Sequence, residues 1–191
     1  MNEPAEKRAT YADVLAAPPN RVAELVGGRL YTFPRPAAPH AHAASVLGMD
    51  IGSPFQRGRN GPGGWWILDE PELHFDDDVV VPDLGGWRRE RMPTVPNVPH
   101  FTLPPDWLCE VLSPSTEAFD RADKLDVYAR AHVSWVWLVN PLTHTLEVLR
   151  LREGAWTVHA IHRGDAVVRA EPFDAIELAL SDLWLPSNES E

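Results

Sequence analysis

Two acidic residues in otherwise apolar segments are the first features of this sequence that could carry chemistry. Asp83 follows the run Val79-Val-Val-Pro82, and Glu110 interrupts the segment Trp107-Leu-Cys-Glu-Val-Leu112. A buried carboxylate without a partner is costly, so it usually binds a cation or another polar group. Two carboxylates at the ends of adjacent strands could share one cation, and hard oxygen ligands suit magnesium. The segments therefore predict a magnesium site at Asp83 and Glu110.

Lys124 is the third candidate, because the helix predicted to begin near Thr116 places it about two turns in. Leu125 and Tyr128 are predicted to face the core, and Lys124 lies beside them. From there it is predicted to reach back toward the strand end that holds Glu110. A lysine beside a metal can orient or deprotonate an attacking water and balance charge in phosphoryl transfer.

Each of these three residues also has a simpler interpretation. Asp83 is a common residue type in turns. Glu110 could form a structural salt bridge with Lys124 or Arg121, and Lys124 alone is typical of a solvated helix surface. The sequence by itself leaves these alternatives open.

Histidine pairs elsewhere in the chain suggest weaker candidates for metal binding. His40 and His42 form an H-x-H pattern, but no third ligand follows by spacing, so a loop and helix-start interpretation is preferred. Glu72 and His74 occupy alternate positions of a predicted strand and should share one face. Neither pair predicts a site without further support.

A cluster of Trp87, Arg88, Arg89 and Arg91 could contact nucleic acid by base stacking and phosphate pairing. The alternative, a solvated loop, is slightly favoured, because the surrounding segment 85–105 is rich in proline. That segment is predicted to be an irregular surface excursion.

The remaining elements position these residues within a mixed α/β chain with one dominant sheet. Apolar runs on either side of Gly27-Gly28 predict a hairpin with a two-residue turn, and a second hairpin is predicted around Glu153-Gly154. Residues 34–40 are predicted to be a loop, followed by a helix from His42 to Phe55. The resulting order is helix, hairpin, helix, strands, helix, strand, hairpin.

Composition sets outer limits on the protein class. The 191 residues carry a formal net charge of −11, which argues against broad, nonspecific affinity for nucleic acid. The single cysteine, Cys109, allows no disulfide within the chain and fits a cytoplasmic location. No secretory leader and no run of about 18 apolar residues is found, so no membrane span is expected. We expect one domain over residues 10–186, a flexible N-terminus (1–9) and a polar tail (187–191).

Several motifs together resemble the Uma-two restriction endonuclease family of the PD-(D/E)XK nuclease superfamily. The resemblance covers roughly residues 10–185. It is carried by Glu24-Leu-Val-Gly-Gly-Arg-Leu30, Pro82-Asp83, Glu110-Val-Leu-Ser-Pro-Ser-Thr116, Asp120, Lys124-Leu125, Tyr128-Ala129, Trp137-Leu-Val-Asn-Pro141 and Thr145-Leu-Glu-Val148.

The resemblance implies a restriction-endonuclease-like core, namely a central four-stranded mixed β-sheet flanked by helices, with added β-hairpins. Asp83 and Glu110 would then bind Mg²⁺, or Mn²⁺ in its place, together with the Val111 carbonyl. Glu24 matches an N-terminal acidic position often found beside the site. The second motif normally ends in lysine, but position 112 is leucine, so the following helix would supply the lysine as Lys124.

The function that this resemblance implies is metal-dependent hydrolysis of DNA phosphodiester bonds. A catalytically silent nuclease fold that serves as a binding or assembly module is the alternative, and the acidic net charge favours it. A homodimer is expected from the apolar C-terminal hairpins and from the usual need of such nucleases to address two strands.

Overall fold

The computed structural model describes residues 8–186, so the predicted tail and residues 1–7 of the predicted flexible N-terminus lie outside it. The helices are α1 (Tyr11–Leu15), α2 (Ala38–Ile51), α3 (Glu117–Phe119) and α4 (Leu125–Arg130). The strands are β1 (Arg21–Val26), β2 (Arg29–Pro34), β3 (Trp65–Asp69), β4 (Leu73–Phe75), β5 (Asp78–Val80), β6 (Leu84–Arg88), β7 (Trp107–Val111), β8 (Trp135–Asn140), β9 (Thr145–Arg152), β10 (Ala155–Arg163), β11 (Val167–Val168) and β12 (Leu178–Ala179).

A mixed sheet of six strands, two more than the resemblance implies, forms the centre of the fold, with the order β10-β9-β8-β7-β6-β3. Strands β7 and β8 pair in parallel, whereas the other neighbours in this sheet pair antiparallel. Parallel neighbours need a long crossover connection, and the helical segment that contains α3 and α4 provides it. The mixed sheet with flanking helices confirms the predicted fold class.

A second, antiparallel sheet of four strands, called the small sheet below, has the order β2-β1-β5-β4. Its hairpin turns at Gly27-Gly28, as predicted, and both glycines have positive φ angles of 60° and 77°. Two consecutive residues with positive φ are what a type I′ hairpin turn needs, and glycine adopts them without a steric penalty. This sheet brings β1, from the N-terminal hairpin, beside β5 through the pair Leu25 and Val79.

Each face of the central sheet buries its own apolar core. On one face α2 and the C-terminal segment cover Trp107, Cys109 and Val111 of β7. On the other face the helical crossover and the small sheet cover Leu108 and Leu112. Because side chains alternate along a strand, Glu110 belongs to the second face, where an apolar residue would otherwise pack.

Helix α2 begins earlier than predicted, since residues 38–40 are helical and not part of a loop. Pro39 lies in the first turn, where a missing backbone N–H costs nothing, so this proline starts the helix and does not exclude it. The buried residues His40, Ala43, Leu47 and Ile51 follow a helical spacing along one face. Among residues 8–186, no helix combines the length and apolar composition that a membrane crossing requires.

The prediction that residues 85–105 lack regular structure is wrong at its start, because Leu84–Arg88 form the central strand β6. Glycine and proline normally weaken a strand assignment, but here two glycines make room for neighbours. A Cβ at Gly85 would lie 2.8 Å from Pro71, and one at Gly86 would lie 3.0 Å from the Trp107 ring. The side chain of Trp87 is fully buried and donates a hydrogen bond to the Leu103 carbonyl, so it is a core residue.

Candidate active site

A cleft of about 580 Å³ lies where the small sheet meets the central sheet. Its lining includes every residue that the sequence proposed for the site, although these residues come from four separate parts of the chain. They are Glu24, Asp83, Glu110, Val111 and Lys124. The tertiary structure thus brings all five together, while their chemical roles stay predictions.

Asp83 lies directly before β6 and joins the two acidic motifs. Its Oδ2 accepts a hydrogen bond from the backbone N–H of Val111 at 2.7 Å, and Val111 is the residue after Glu110. Its Oδ1 lies 3.2 Å from Nε2 of His40, and the Asp83 side chain is 16% exposed. The antiparallel pair of Leu84 and Cys109 in β6 and β7 fixes this approach, so Asp83 and Glu110 meet at the same edge of the sheet.

Glu110 is buried in β7 and held by two donors. The Tyr128 hydroxyl donates to Oε1 of Glu110, and Nζ of Lys124 lies 2.9 Å from the same oxygen. Burial raises the pKa of Glu110 well above its ordinary value, although the charge of Lys124 opposes this shift. A further positive charge nearby would stabilise the ionised form of this carboxyl group.

Lys124 is also buried, so the interpretation as a solvated helix residue is wrong. Its Nζ lies 3.1 Å from Glu24 and 2.9 Å from Glu110, donates to the Val81 carbonyl at 3.2 Å, and lies 3.7 Å from Asp120. Burial lowers the pKa of Lys124, but the charges of Glu110 and Glu24 outweigh burial and raise the pKa well above its ordinary value. Lys124 is therefore a charged ammonium group whose three protons all face acceptors.

The salt bridge between Glu110 and Lys124 that the sequence left open is present, whereas one with Arg121 is not. Arg121 instead pairs with Glu117 at 2.9 Å and with Glu147 on β9. Glu110 can form this salt bridge and still belong to the candidate site, since the Lys124 ammonium group also contacts Glu24 and Asp120 in the cleft.

The helical crossover contains a π-helical turn, Asp120–Lys124, between α3 and α4. Asp120 and Lys124 are both buried there and point toward the cleft, one turn apart. Single π-helical turns are rare and are often found at functional sites, because the extra residue redirects side chains. Because residues four apart share one face of a helix, the lysine and the carboxylate of this turn both reach the strands.

Glu24 lies on β1, and its position depends on pairing between distant strands. Its Oε1 accepts a hydrogen bond from the backbone N–H of Val81 at 2.7 Å, directly after β5. The side chain is 3% exposed. The predicted acidic residue beside the site is therefore in place, and its hydrogen bonds orient it toward Lys124.

The sequence analysis considered His40 only as part of the H-x-H pair and preferred a loop interpretation, and it did not assign roles to Asp120 and Tyr128. His40 lines the cleft beside Asp83, while His42 contacts the backbone oxygen of Asp182 at 3.0 Å. Burial lowers the pKa of His40, but the hydrogen bond and charge of Asp83 raise it more, so the net shift is upward. The signal was present in the sequence: placing His40 on the same helical face as Ala43 would have aimed it inward.

Carboxylates outnumber positive groups in the buried part of the cleft. Glu24, Glu110 and Asp120 lie beside Lys124, while Asp83 lies beside His40, a side chain that can become a cation. Such an excess of negative charge in a low-dielectric setting fits a divalent cation. Magnesium usually takes one or two protein carboxylates and keeps several waters, so Asp83, Glu110 and the Val111 carbonyl are a suitable donor set.

We expect Asp120 to make folding stability depend on pH. Burial is the main reason why the pKa of Asp120 is raised from 3.8 to about 6, with Lys124 acting in the opposite direction. Between these two pH values the folded state binds a proton that the unfolded state releases. The free energy of unfolding should therefore fall as pH rises from 3.8 to about 6. The contribution of Asp120 to this fall is at most about 3 kcal/mol.

Urea unfolding in metal-free buffer between about pH 4 and pH 7 tests this expectation. The variant Asp120→Asn should lose this part of the pH dependence, and Asp174→Asn, an exposed position, should keep it. Parallel stability curves for the wild type and Asp120→Asn would contradict the assignment.

The fold and the acidic cleft define a protein of the restriction-endonuclease-like class. The model of the Uma2 family, described as "Putative restriction endonuclease", matches residues 9–181, and this chain belongs to that family.

A solved structure shows the same architecture at low sequence identity. It is a "putative nuclease belonging to DUF820" from Anabaena variabilis ATCC 29413, with 23% identity and a TM-score of 0.72. The match covers 91% of this chain and 96% of that chain. No curated protein matches the chain significantly. At this identity the likeness concerns the fold.

Proposed function

We propose that this protein is a metal-dependent endonuclease that hydrolyses phosphodiester bonds of DNA. Membership of the Uma2 family supports a nuclease. The single observation that carries the proposal is the hydrogen bond from the Val111 N–H to Asp83, because it holds the two acidic motifs side by side in one cleft. A carboxylate pair at a sheet edge is a common way to bind a catalytic divalent ion.

Asp83 and Glu110, with the Val111 carbonyl, are the proposed ligands of Mg²⁺ or Mn²⁺. The bound ion would polarise the phosphate and lower the pKa of a water molecule. The protein keeps both carboxylates in position before substrate arrives, since Asp83 accepts from Val111 and Glu110 accepts from Tyr128 and Lys124. This arrangement limits the reorganisation that the reaction requires.

Lys124 balances the charge of Glu24 and Glu110 in the proposed mechanism. Its three protons already face acceptors, so Lys124 must give up one of these hydrogen bonds before it can donate to an attacking water. Glu24 is the acceptor that connects Lys124 to the small sheet, and we propose that it completes the surroundings of the ion through a water.

Support for a nucleic acid substrate comes from charge at the cleft. Arg21 and Arg35 are exposed and line the same cleft as the carboxylates. Positive charge placed locally can attract a phosphate backbone even when the net charge is −11. The same net charge favours the second candidate, a catalytically silent binding or assembly module.

A cleavage assay distinguishes these two functions. We expect the wild type to cleave supercoiled DNA with Mg²⁺ or Mn²⁺ and to be inactive with EDTA. The variant Glu110→Gln should lose at least about 100-fold in rate, because it removes the charge but keeps acceptors for Tyr128 and Lys124. Linear DNA and RNA in parallel reactions define the substrate. Absence of metal-dependent cleavage of every substrate would favour the silent module.

Homodimerisation and a cytoplasmic location stay predictions. Val158 and Ile161 on the edge strand β10 are exposed by 60% and 47%, and we propose that a second copy would contact them. Light scattering that finds a monomer at high concentration would count against the dimer.

A further inference from the structure

A second cluster of titratable side chains, outside the carboxylate site, consists of Glu72, His74 and His100. Each offers one possible ligand atom, and these atoms all lie within 4.8 Å of one another. The three side chains are partly buried. His74 lies on β4, Glu72 directly before it, and His100 in the loop that follows β6. The Glu72 side chain also borders the main cleft, so the two groups are neighbours.

Backbone hydrogen bonds fix the relative positions of these three residues. The N–H of His74 donates to the Phe101 carbonyl at 2.9 Å, and the N–H of Phe101 donates to the Glu72 carbonyl at 2.9 Å. Glu72 and His74 are two positions apart along an extended segment, so they share a face, as the sequence indicated. His100 precedes Phe101, and its ring lies 3.8 Å from the His74 ring. The cluster is therefore held in place by the sheet and not only by flexible side chains.

The polar contacts within the cluster leave a histidine nitrogen without a partner. Nε2 of His74 lies 2.7 Å from Oε1 of Glu72, and the Tyr11 hydroxyl donates to the same oxygen at 2.8 Å. Nδ1 of His100 is buried and has no hydrogen-bond partner among the described residues. Buried polar atoms without a partner are uncommon in folded proteins, and a bound ion often satisfies such an atom.

Two imidazoles and one carboxylate form a donor set that differs from that of the carboxylate site. Imidazole nitrogens suit zinc, whereas magnesium prefers oxygen ligands. Three protein ligands with one open position are typical of zinc sites that also bind water or a substrate. We propose that Glu72, His74 and His100 bind Zn²⁺. The ion replaces the proton that Glu72 and His74 share, and His100 turns one ring nitrogen toward it.

Tyr11 is a positioning residue in this proposal, because it orients the Glu72 carboxylate through a hydrogen bond. Hydrogen bonds of this kind to metal ligands commonly contribute a factor of about 10 to 100 in metal affinity. The ion would connect β4 with the loop after β6, and the Tyr11 hydrogen bond to Glu72 would link this site to α1. The proposal does not depend on the nuclease function.

Calorimetric titration of the metal-stripped protein with Zn²⁺, and absorption spectra of the Co²⁺-substituted protein, test this site. With excess Mg²⁺ present to occupy the carboxylate site, we expect one Zn²⁺ per chain in the wild type. His74→Ala and His100→Ala should each lose at least about 100-fold in affinity, and Tyr11→Phe about 10-fold. His132→Asn, at an exposed position, and Asp83→Asn, in the other site, should bind Zn²⁺ like the wild type.

Thermal unfolding with and without Zn²⁺ provides a second measurement and shows that each variant is folded. Zn²⁺ should raise the unfolding temperature of the wild type but not that of His100→Ala, and His100→Gln serves if the alanine variant does not fold. Zn²⁺ affinity that is unchanged in both histidine variants would overturn the proposal. Affinity lost in Asp83→Asn alone would also overturn it, since the ion would then occupy the carboxylate site.

Discussion

Replacing Asp83 by alanine should reduce metal-dependent DNA cleavage by about 100- to 1000-fold or more. The residue supplies one of the two carboxylates proposed to hold the divalent ion, and it also fixes the Val111 backbone beside Glu110. Both the binding of the ion and the alignment of the second carboxylate should therefore suffer. Rates of plasmid cleavage with Mg²⁺, together with calorimetric titration of Mg²⁺ and Mn²⁺, measure the two effects.

The matched control for this prediction is Asp174→Ala, which removes an exposed aspartate from another part of the chain. Asp83→Asn separates charge from packing, because the amide oxygen can still accept from the Val111 N–H. If Asp83→Ala and the wild type bind Mg²⁺ and Mn²⁺ equally poorly, the nuclease proposal loses its basis. Full cleavage activity in Asp83→Ala would exclude Asp83 as a ligand, because alanine offers the ion no side-chain oxygen.

Replacing Lys124 by methionine should lower the free energy of unfolding by about 3–5 kcal/mol at neutral pH. Methionine has a similar volume but no charge, so Glu24, Glu110 and Asp120 would remain buried without their ammonium partner. Leaving buried charges uncompensated is costly because water cannot reach them. Urea unfolding of metal-free protein measures the loss.

The pH dependence of this loss has a definite sign. The wild-type pKa of Lys124 is raised, so its stabilising contribution is present below the ordinary lysine pKa of 10.5 and is lost only as pH rises through the higher folded value. In the variant, the pKa of Glu110 should rise further because Lys124 no longer opposes burial. The deficit should therefore shrink as pH falls and the carboxylates become protonated.

A double variant gives the matching control for Lys124. Lys124→Met combined with Glu110→Gln removes the pair together, so it should be less destabilised than the sum of the single variants. A loss below about 1 kcal/mol for Lys124→Met, the usual range for an exposed ion pair, would contradict the buried charge network.

Much of the local structure could be predicted from patterns that involve neighbouring residues. Gly27-Gly28 and Glu153-Gly154 marked two hairpins, because left-handed turn residues leave a clear signal in sequence. The segment Trp107–Val111 was predicted as a buried strand from its apolar run. The start of α2 and the strand β6 were missed, since proline and glycine suggested breaks where the fold uses them for a helix start and for close packing.

The sequence alone determined which residue types were present for the site: carboxylates in apolar segments and a lysine on the following helix. It could not determine that Lys124 is buried among three carboxylates, or that Asp83 accepts a hydrogen bond from the Val111 N–H. Those facts depend on the pairing of β1 with β5 and of β6 with β7, and on the π-helical turn. Such contacts join residues far apart in the chain. Hydrophobic periodicity indicates only which face of each segment is buried, so it cannot predict which segments pair.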